Sequence, residues 1–358
     1  MTTNKIKSNP FTTTPGVAGD AYINPHCADE IIQRFDDPSS TNYVYKILGL
    51  RGSGKSVEFA KVINYYCNKE DWLVYTLAAS GNPLQTMVDI MSSESAILST
   101  PTSVSKTVTG EMEANAFFVN SNVSGKMTQN FDNSEIPASY DARFQYLCRR
   151  LSEKKKILIG IDDIAKTHEM VHFLSVLNSV ILNKSNNIRL ICTGLEKNIE
   201  KFNDIDHLSF FARPEPKYIS SIDLNEIELK YYEYFGISKD EAKKLAEVTK
   251  GYAWGYQLFG NELFESKDND LEEVFYRFDK KMASTYTLIW KELSPEEKQF
   301  IRIVLEQPNG IAERAVIEPQ IKGYSQHRKN LIAKHILSFE KGGIVSVELP
   351  RFREFIGE

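Results

Sequence analysis

Cysteine is scarce and scattered. The four residues, Cys27, Cys67, Cys148 and Cys192, lie far apart and none forms a C-x-x-C pair. That spacing supports neither a zinc site nor a disulfide framework; reduced, mostly buried thiols are the expectation. Long apolar runs are missing as well. No stretch approaches the ~20 apolar residues that a membrane-spanning helix needs, so no membrane contact is expected. Residues 1–10 are polar, carry two lysines and hold no apolar run, so no secretory leader is read there and a cytoplasmic location is expected. Positive charge is not in excess either. Lys and Arg number 43 against 48 Asp and Glu, a net charge of −5. That argues against a protein that coats nucleic acid non-specifically, and leaves room for a local basic patch.

What is present is a phosphate-binding signature. At 42% hydrophobic and 25% charged, the 358 residues have ordinary globular composition and enough length for two or three domains. Within them, Gly49-Leu50-Arg51-Gly52-Ser53-Gly54-Lys55-Ser56 fits G-x-x-x-x-G-K-[ST]. Residues 43–48 before it read as a buried strand, and 57–63 after it as a helix. Glycines let the backbone curl so that successive N–H groups point at a phosphate chain, and the helix N-terminus adds partial positive charge. Gly49, Arg51, Gly52, Ser53, Gly54, Lys55, Ser56 and Val57 are therefore the candidate nucleotide contacts. Lys55 would reach the β- and γ-phosphates, and the Ser56 hydroxyl would ligate Mg²⁺.

A second element completes that chemistry. The apolar run 157–161 closes on Asp162-Asp163, as a central strand covered by helices on both faces would. Asp162 at its tip would hold Mg²⁺, directly or through water. Asp163 would polarise an attacking water. A buried strand followed by an Asp-Asp turn is the plainer alternative. Ile188–Gly194 is the next buried strand, ending at Thr193 on the carboxyl edge of the sheet, where ligands of open α/β sheets lie. Thr193 would hydrogen-bond a γ-phosphate or the water; a strand end before a glycine turn has the same pattern.

The rest of the chain organises around these motifs. Residues 72–77 and 218–222 read as strands. Residues 28–35, 82–91 with Pro83 first, and 139–152 with Phe144, Leu147, Cys148 and Leu151 at helical spacing read as helices. The polar stretch 93–137 suggests a hairpin excursion around Val108-Thr109 and Phe117-Phe118-Val119. From Asp223 the period turns helical, and helices starting at 223, 239 and 251 compose a small lid. Ser294-Pro295-Glu296-Glu297 is a capping box that starts another helix. A turn at Asn309-Gly310, a short helix ending near Glu318, a helix from Ser325 to His335 capped by Ser325, and a hairpin about Gly342-Gly343 follow. Three helices plus a hairpin read as a winged helix-turn-helix.

On these residues the chain resembles the AAA+/STAND branch of P-loop ATPases, in particular ATP-binding proteins that join an archaeal-ATPase or origin-recognition-type core to a C-terminal winged helix. Asn9-Pro10-Phe11 is similar to their N-P-F opening. The loop at 47–56 matches their Walker A motif, Ile161-Asp162-Asp163 stands at Walker B, and Thr193-Gly194 at sensor 1. Phe210-Phe211-Ala212-Arg213 resembles the segment that carries an arginine finger, residues 251–260 resemble the lid motif, and residues 325–331 fall on the third helix of the winged helix. The resemblance implies an α/β fold with a parallel-sheet P-loop core (41–222, interrupted by the 93–137 insertion), an N-terminal arm (1–40), a helical lid (223–285) and the winged helix (286–358). It implies ATP and Mg²⁺ as cofactors, with residues 14–17 of the arm near the adenine. Ser56 and Asp162 would hold the metal, and Lys55, Asp163 and Thr193 would be catalytic. Arg213 would act in trans on a neighbouring copy of the chain, so self-association is implied. Two departures stand out. Asp163 replaces the usual Glu, which draws the carboxylate back by about 1.5 Å, and a misplacement of ~1 Å can cost about a hundredfold in rate; slow hydrolysis or a nucleotide-held switch follows. Ala253 stands where Pro is usual, and the lid offers no sensor 2 arginine.

Two partner readings follow. Arg328, Lys329 and Lys334, with His327 and His335, lie on or beside the third helix, and Lys341, Arg351 and Arg353 surround the wing, so double-stranded DNA is a candidate partner through 325–353. Glu340, Glu348, Glu354 and Glu358 dilute that patch. The alternative is a STAND-type signalling or defence ATPase whose winged helix docks a protein. Lys154-Lys155-Lys156 and His168 are expected at the surface, and Trp254 in the lid core.

Overall fold

The computed structural model describes residues 8–79, 81–99, 137–182, 187–266, 270–340 and 343–357. The core begins with α1 (Cys27–Asp36), β1 (Val44–Leu48), α2 (Lys55–Cys67), β2 (Trp72–Ala78) and α3 (Pro83–Ser99). It continues with α4 (Tyr140–Ser152), β3 (Lys156–Asp162), α5 (His168–Leu182), β4 (Ile188–Gly194), α6 (Glu196–Asn203), α7 (Ser209–Ala212) and β5 (Lys217–Tyr218). The five strands form one parallel sheet in the order β2-β3-β4-β1-β5. Parallel strands need crossover helices, and those helices cover both faces, which is why β1 and β4 are buried along their whole length. One face packs on α1 and α2 through Ile31, Phe35, Phe59, Ile63 and Tyr66; the other packs on α3, α4 and α5 through Met87, Met91, Phe144, Phe173 and Leu177. Gly160 in β3 is a packing requirement, since a Cβ there would lie 2.7 Å from Ile63 and 2.8 Å from Phe59 of α2. The register pairs Leu48 with Gly194 and Ala78 with Asp162. The carboxyl ends of the central strands therefore open on one edge, carrying the glycine-rich loop, Asp162 and Thr193.

Three expectations for the core change. Residues 93–99 continue α3 instead of opening the excursion; the hairpin placed at 108–119 lies outside the described residues. The fifth strand is only Lys217–Tyr218, paired with β1, and not 218–222. The chain leaves the sheet because the Ile222 N–H donates to the Gly251 carbonyl, 2.8 Å away in the lid. The helix α5 was not expected at all; its buried face is Met170, Phe173, Leu174 and Leu177. All four cysteines are free thiols, and three of them are buried.

The lid consists of α8 (Leu224–Phe235), α9 (Lys239–Thr249), α10 (Ala253–Glu265) and α11 (Leu271–Lys291). The boundary expected at 285/286 falls inside α11. Its buried stripe, Val274, Phe278, Met282, Tyr286 and Ile289, keeps helical spacing straight through that position, so lid and C-terminal unit share one helix. The N-terminal arm also divides. Phe11 is buried in the lid among Tyr231, Tyr234, Phe235 and Tyr256, with ring centroids 5.5–5.8 Å apart. The Thr12 N–H donates to Gln257 (2.9 Å), and the Tyr256 hydroxyl donates to the Ala21 carbonyl (2.7 Å). Ile23 still packs with the lid, and from Cys27 onward the chain belongs to the core. The Tyr22 hydroxyl donates to Glu58 of α2, whose other oxygen accepts the Ala28 N–H at 2.8 Å and so satisfies the start of α1.

The C-terminal unit follows as α12 (Pro295–Glu306), β6 (Ile311–Glu313), α13 (Arg314–Ile317), α14 (Tyr324–Ala333), β7 (Leu337–Glu340), β8 (Ile344–Val347) and α15 (Phe352–Gly357), with an antiparallel sheet in the order β6-β8-β7. The capping box on α12 forms with both partners, Ser294 and Glu297, and Asn309 turns at φ 57° as its turn requires. Ser325 does not cap α14. Gly323, at φ 77°, takes that place, and Tyr324 starts the helix because its buried ring stacks on Phe300 at 5.5 Å. The segments β6 and α15 are too short to leave a periodic signal.

The ring cage around Phe11 gives a direct test of the arm's attachment. Phe11→Ala removes a buried aromatic side chain and should lower the unfolding free energy by about 3 kcal/mol, read from urea denaturation.

Candidate nucleotide site

The loop after β1 curls through Gly52 (φ 75°) and Gly54 (φ 97°), conformations that a side chain would strain. Gly52 is doubly constrained, since a Cβ there would lie 2.8 Å from the Trp254 side chain. Two loop amides are used internally: the Ser53 N–H donates to the Leu50 carbonyl (3.1 Å) and the Val57 N–H to the Gly54 carbonyl (3.0 Å). Among the described residues, no other hydrogen bond occupies the N–H groups of Gly52 and Gly54, and those of Lys55 and Ser56 open the first turn of α2, where helices leave donors free. The Lys55 ammonium donates to the carbonyls of Gly49 (3.1 Å) and Leu50 (2.9 Å). Burial pushes its pKa down to about 8, against the pull of Asp163 and Asp162.

Asp162 is the centre of the acidic half. Its Oδ1 accepts the Ser56 hydroxyl at 3.2 Å and the Thr193 hydroxyl in a short bond. The Thr193 Oγ1 in turn accepts the Asp163 N–H at 2.8 Å, and the Thr193 carbonyl accepts the Ile164 N–H at 2.8 Å. Asp163 sits at φ 54°, a left-handed conformation that Asp tolerates better than most residues, and its side chain is exposed. Thr193 is fully buried. The hydrogen bond expected from Thr193 to a γ-phosphate or water needs a proton that Asp162 already receives.

These groups converge on a cavity of about 500 Å³. Residues 51–58, Asp162, Asp163 and Thr193 form its floor; the arm (14–19), the lid (Trp254, Gln257) and Thr285 and Leu288 of α11 are among its walls. Gly49 is the exception among the loop candidates. It lines a second cavity of about 210 Å³ behind the loop, with Glu292 and Lys334. Trp254, expected in the lid core, touches that core and also faces the nucleotide cavity. Arg213 is not part of this cavity. It is exposed at the end of α7. His168 is exposed at the start of α5, and Lys156 pairs with Asp71 at 3.6 Å, both at the surface as expected.

Several contacts at the site escaped sequence reasoning. The Tyr252 hydroxyl donates to the Arg51 carbonyl in a short bond, and the Trp254 N–H donates to the Gly52 carbonyl at 2.9 Å, so the lid grips the loop itself. Arg51 faces Glu292 at 3.6 Å, and Lys197 pairs with the same carboxylate at 3.1 Å. Lys46, buried inside β1, donates to the carbonyls of Phe211 (2.8 Å) and Ala212 (3.2 Å), just before Arg213. A lone lysine in an otherwise apolar strand was the available signal. The others are distant in sequence and left none.

The basic patch of the C-terminal unit thins. Lys334 pairs with buried Glu297 at 2.6 Å, and Arg351 holds Asp279 through two bonds of 2.8 and 2.6 Å. His335 lies against the Tyr218 ring at 5.9 Å, where burial pushes its pKa down. Arg328 stacks over Phe339 (4.7 Å), and Arg353 donates to the Gln307 carbonyl. Lys341 and Glu358 lie outside the described residues. Among the described residues no cluster of three or more His, Cys, Asp or Glu could hold a metal, and no helix is long and apolar enough to cross a membrane.

A parallel sheet of this order, with the glycine-rich loop after β1 and the acidic pair after β3, beside a helical unit and a C-terminal helix–sheet unit, gives the chain an α/β P-loop fold. Among solved structures it is similar to the ORC2 protein of Aeropyrum pernix in its ADPNP and ADP complexes, with a TM-score of 0.52 and 12% identity over 92% of each chain. It is also similar to Cdc6p of Pyrobaculum aerophilum, with a TM-score of 0.42 and 13% identity over 94% of each chain. No protein-family model and no curated protein matches it.

The position of Lys55 sets a pH dependence. A folded pKa of about 8 against an ordinary 10.5 means that the unfolded chain binds the extra proton between those values, so the lysine's own contribution to stability rises with pH there. Phosphate favours the charged ammonium, so binding takes up a proton above pH 8. Nucleotide affinity should fall above pH 8 by up to about tenfold per pH unit, with proton uptake measured by calorimetry in buffers of different ionisation heat.

Proposed function

We propose that the protein binds MgATP between the sheet edge and the lid, and acts as a slow ATPase or ATP-held switch. Support comes from one convergence: Lys55 and Ser56 from the start of α2 and Asp162 and Asp163 from the end of β3 meet at a cavity closed by the arm and the lid. The solved ORC2 structure in ADPNP and ADP complexes supports an adenine nucleotide as the ligand. Lys55 exchanges the carbonyls of Gly49 and Leu50 for phosphate oxygens, while the free amides of the loop and first helical turn receive the phosphate chain. The Ser56 hydroxyl and the Asp162 carboxylate are hard oxygen donors 3.2 Å apart, which fits Mg²⁺, an ion bound through one or two carboxylates with waters and phosphates. Bound there, it supplies neutralising charge to the β- and γ-oxygens. Asp163 orients the attacking water, and its short side chain accounts for slow turnover.

Arg213 completes the site of a neighbouring copy. It is exposed and outside its own cavity, while Lys46 anchors the segment it follows. With Lys334, His335 and Arg351 held by contacts inside the chain, the C-terminal unit fits protein docking better than it fits wide DNA contact. Duplex DNA remains the second reading on exposed Lys329 and Arg353.

Lys55→Ala should weaken ATP binding by about a hundredfold, the value of roughly 3 kcal/mol in charge-assisted hydrogen bonds, while the free protein stays folded. Unchanged affinity in a fluorescent-nucleotide titration contradicts the assignment. ATP turnover per chain should rise with protein concentration, and Arg213→Ala should remove a thousandfold or more of the assembled rate. The same assay run with duplex DNA at two salt concentrations reads the partner question, since phosphate contacts make DNA affinity fall steeply with salt.

A further inference from the structure

Thr193 is engaged in a way that a residue contacting the nucleotide would not be. Its side chain is fully buried, and its hydroxyl has one proton and two lone pairs. The proton goes to Asp162 Oδ1, and one lone pair takes the Asp163 N–H at 2.8 Å. The Thr193 carbonyl also takes the Ile164 N–H at 2.8 Å. One threonine thus grips three consecutive residues: the carboxylate of Asp162 and the main chain of the two that follow. Asp162 Oδ1 receives a second hydroxyl from Ser56 at 3.2 Å, and among the described residues no hydrogen bond reaches Oδ2.

Both halves of the acidic pair are therefore set from β4. Two hydroxyls hold one Asp162 oxygen in place and turn the other free. The grip on the Asp163 N–H holds that residue in its left-handed conformation at φ 54°, which sets where the exposed Asp163 carboxylate starts. We propose that Thr193 is a positioning residue: its hydroxyl orients the metal-facing carboxylate of Asp162 and the turn at Asp163, and does not itself bind the nucleotide. This rests on the site's holding MgATP. Groups that orient a metal-binding carboxylate from behind govern metal affinity more than ligand affinity, and that separates this role from a direct contact.

The test is a fluorescent ATP analogue titrated with the full chain in EDTA and across a Mg²⁺ series. Thr193→Val keeps the β-branched shape and removes the hydroxyl. Its affinity in EDTA should stay within about twofold of wild type, while the Mg²⁺ needed for half its effect should rise about tenfold. Thr193→Ser, which restores a hydroxyl, should return the wild-type Mg²⁺ dependence. If the valine variant does not fold, Thr193→Ala is read by the same two numbers. An unchanged Mg²⁺ dependence with slowed single-turnover hydrolysis would mean that the hydroxyl acts on phosphate or water, and would overturn the proposal. Equal loss of affinity in EDTA and Mg²⁺, or a serine variant that restores nothing, would overturn it too. Wild-type protein that binds no nucleotide in either buffer would sink the MgATP assignment itself, and this proposal with it.

Discussion

Four successive carbonyls of the phosphate loop have fixed partners. Lys55 takes those of Gly49 and Leu50, the Tyr252 hydroxyl takes that of Arg51, and the Trp254 N–H takes that of Gly52. Because the peptide unit is planar and trans, fixing each C=O fixes the direction of the N–H joined to it. The loop's shape is thus not a property of its glycines alone. They permit the curl, and donors from two different parts of the chain select one version of it. Two of those donors belong to the start of α10, so the lid is tied to the peptide plane that carries the free Gly52 N–H.

The same logic extends outward. The cavity is walled by the sheet edge, the arm, the lid and α11, and each wall is tied to another. Phe11 roots the arm in the lid's aromatic cage, while Tyr22 and Glu58 root its continuation in the core, so the segment between them crosses the cavity as a strap. Glu292, at the end of α11, meets both Arg51 of the loop and Lys197 of α6. Half-exposed ion pairs of this kind contribute little stability singly, on the order of 0–1 kcal/mol. Their interest is geometric: the helix shared by lid and C-terminal unit ends on the phosphate loop. The lid also touches the C-terminal unit at Gly255, where a Cβ would lie 2.9 Å from Pro350, and at Lys250, which donates to the Val347 carbonyl.

The partner surface shows the opposite tendency. Cations counted along α14 and the wing look like a patch, yet a count takes no account of direction. Lys334 turns to a carboxylate that the capping box had already buried, and Arg351 turns to α11. Burying Glu297 without a cation would cost several kcal/mol, so its demand for a counter-charge draws Lys334 inward. What remains outward is fewer charges than the sequence offers.

Elements set by local chemistry were legible in the amino-acid order. The strand–loop–helix at 44–67 follows from apolar run and glycine spacing, the acidic strand end at 162–163 from its apolar approach, and the α12 cap from Ser294 and Glu297. Each depends on residues within a few positions of one another, where spacing alone carries the geometry. Misjudged were features whose partners are remote. Ser325 yielded its cap to Gly323 because Tyr324 had to reach Phe300, and the boundary set at 285/286 fell inside α11 because the stripe of that helix had a continuous surface to cover. The division of the arm was set by a cage built from α8 and α10. The sequence by itself determined a phosphate loop and an acidic strand tip. Only the tertiary structure decided that Thr193 faces the acid, that Lys46 anchors the segment before Arg213, and that the lid grips the loop. Hydrogen bonds between groups as distant in the chain as Arg51 and Tyr252 exist only once folding has brought their atoms within about 3 Å.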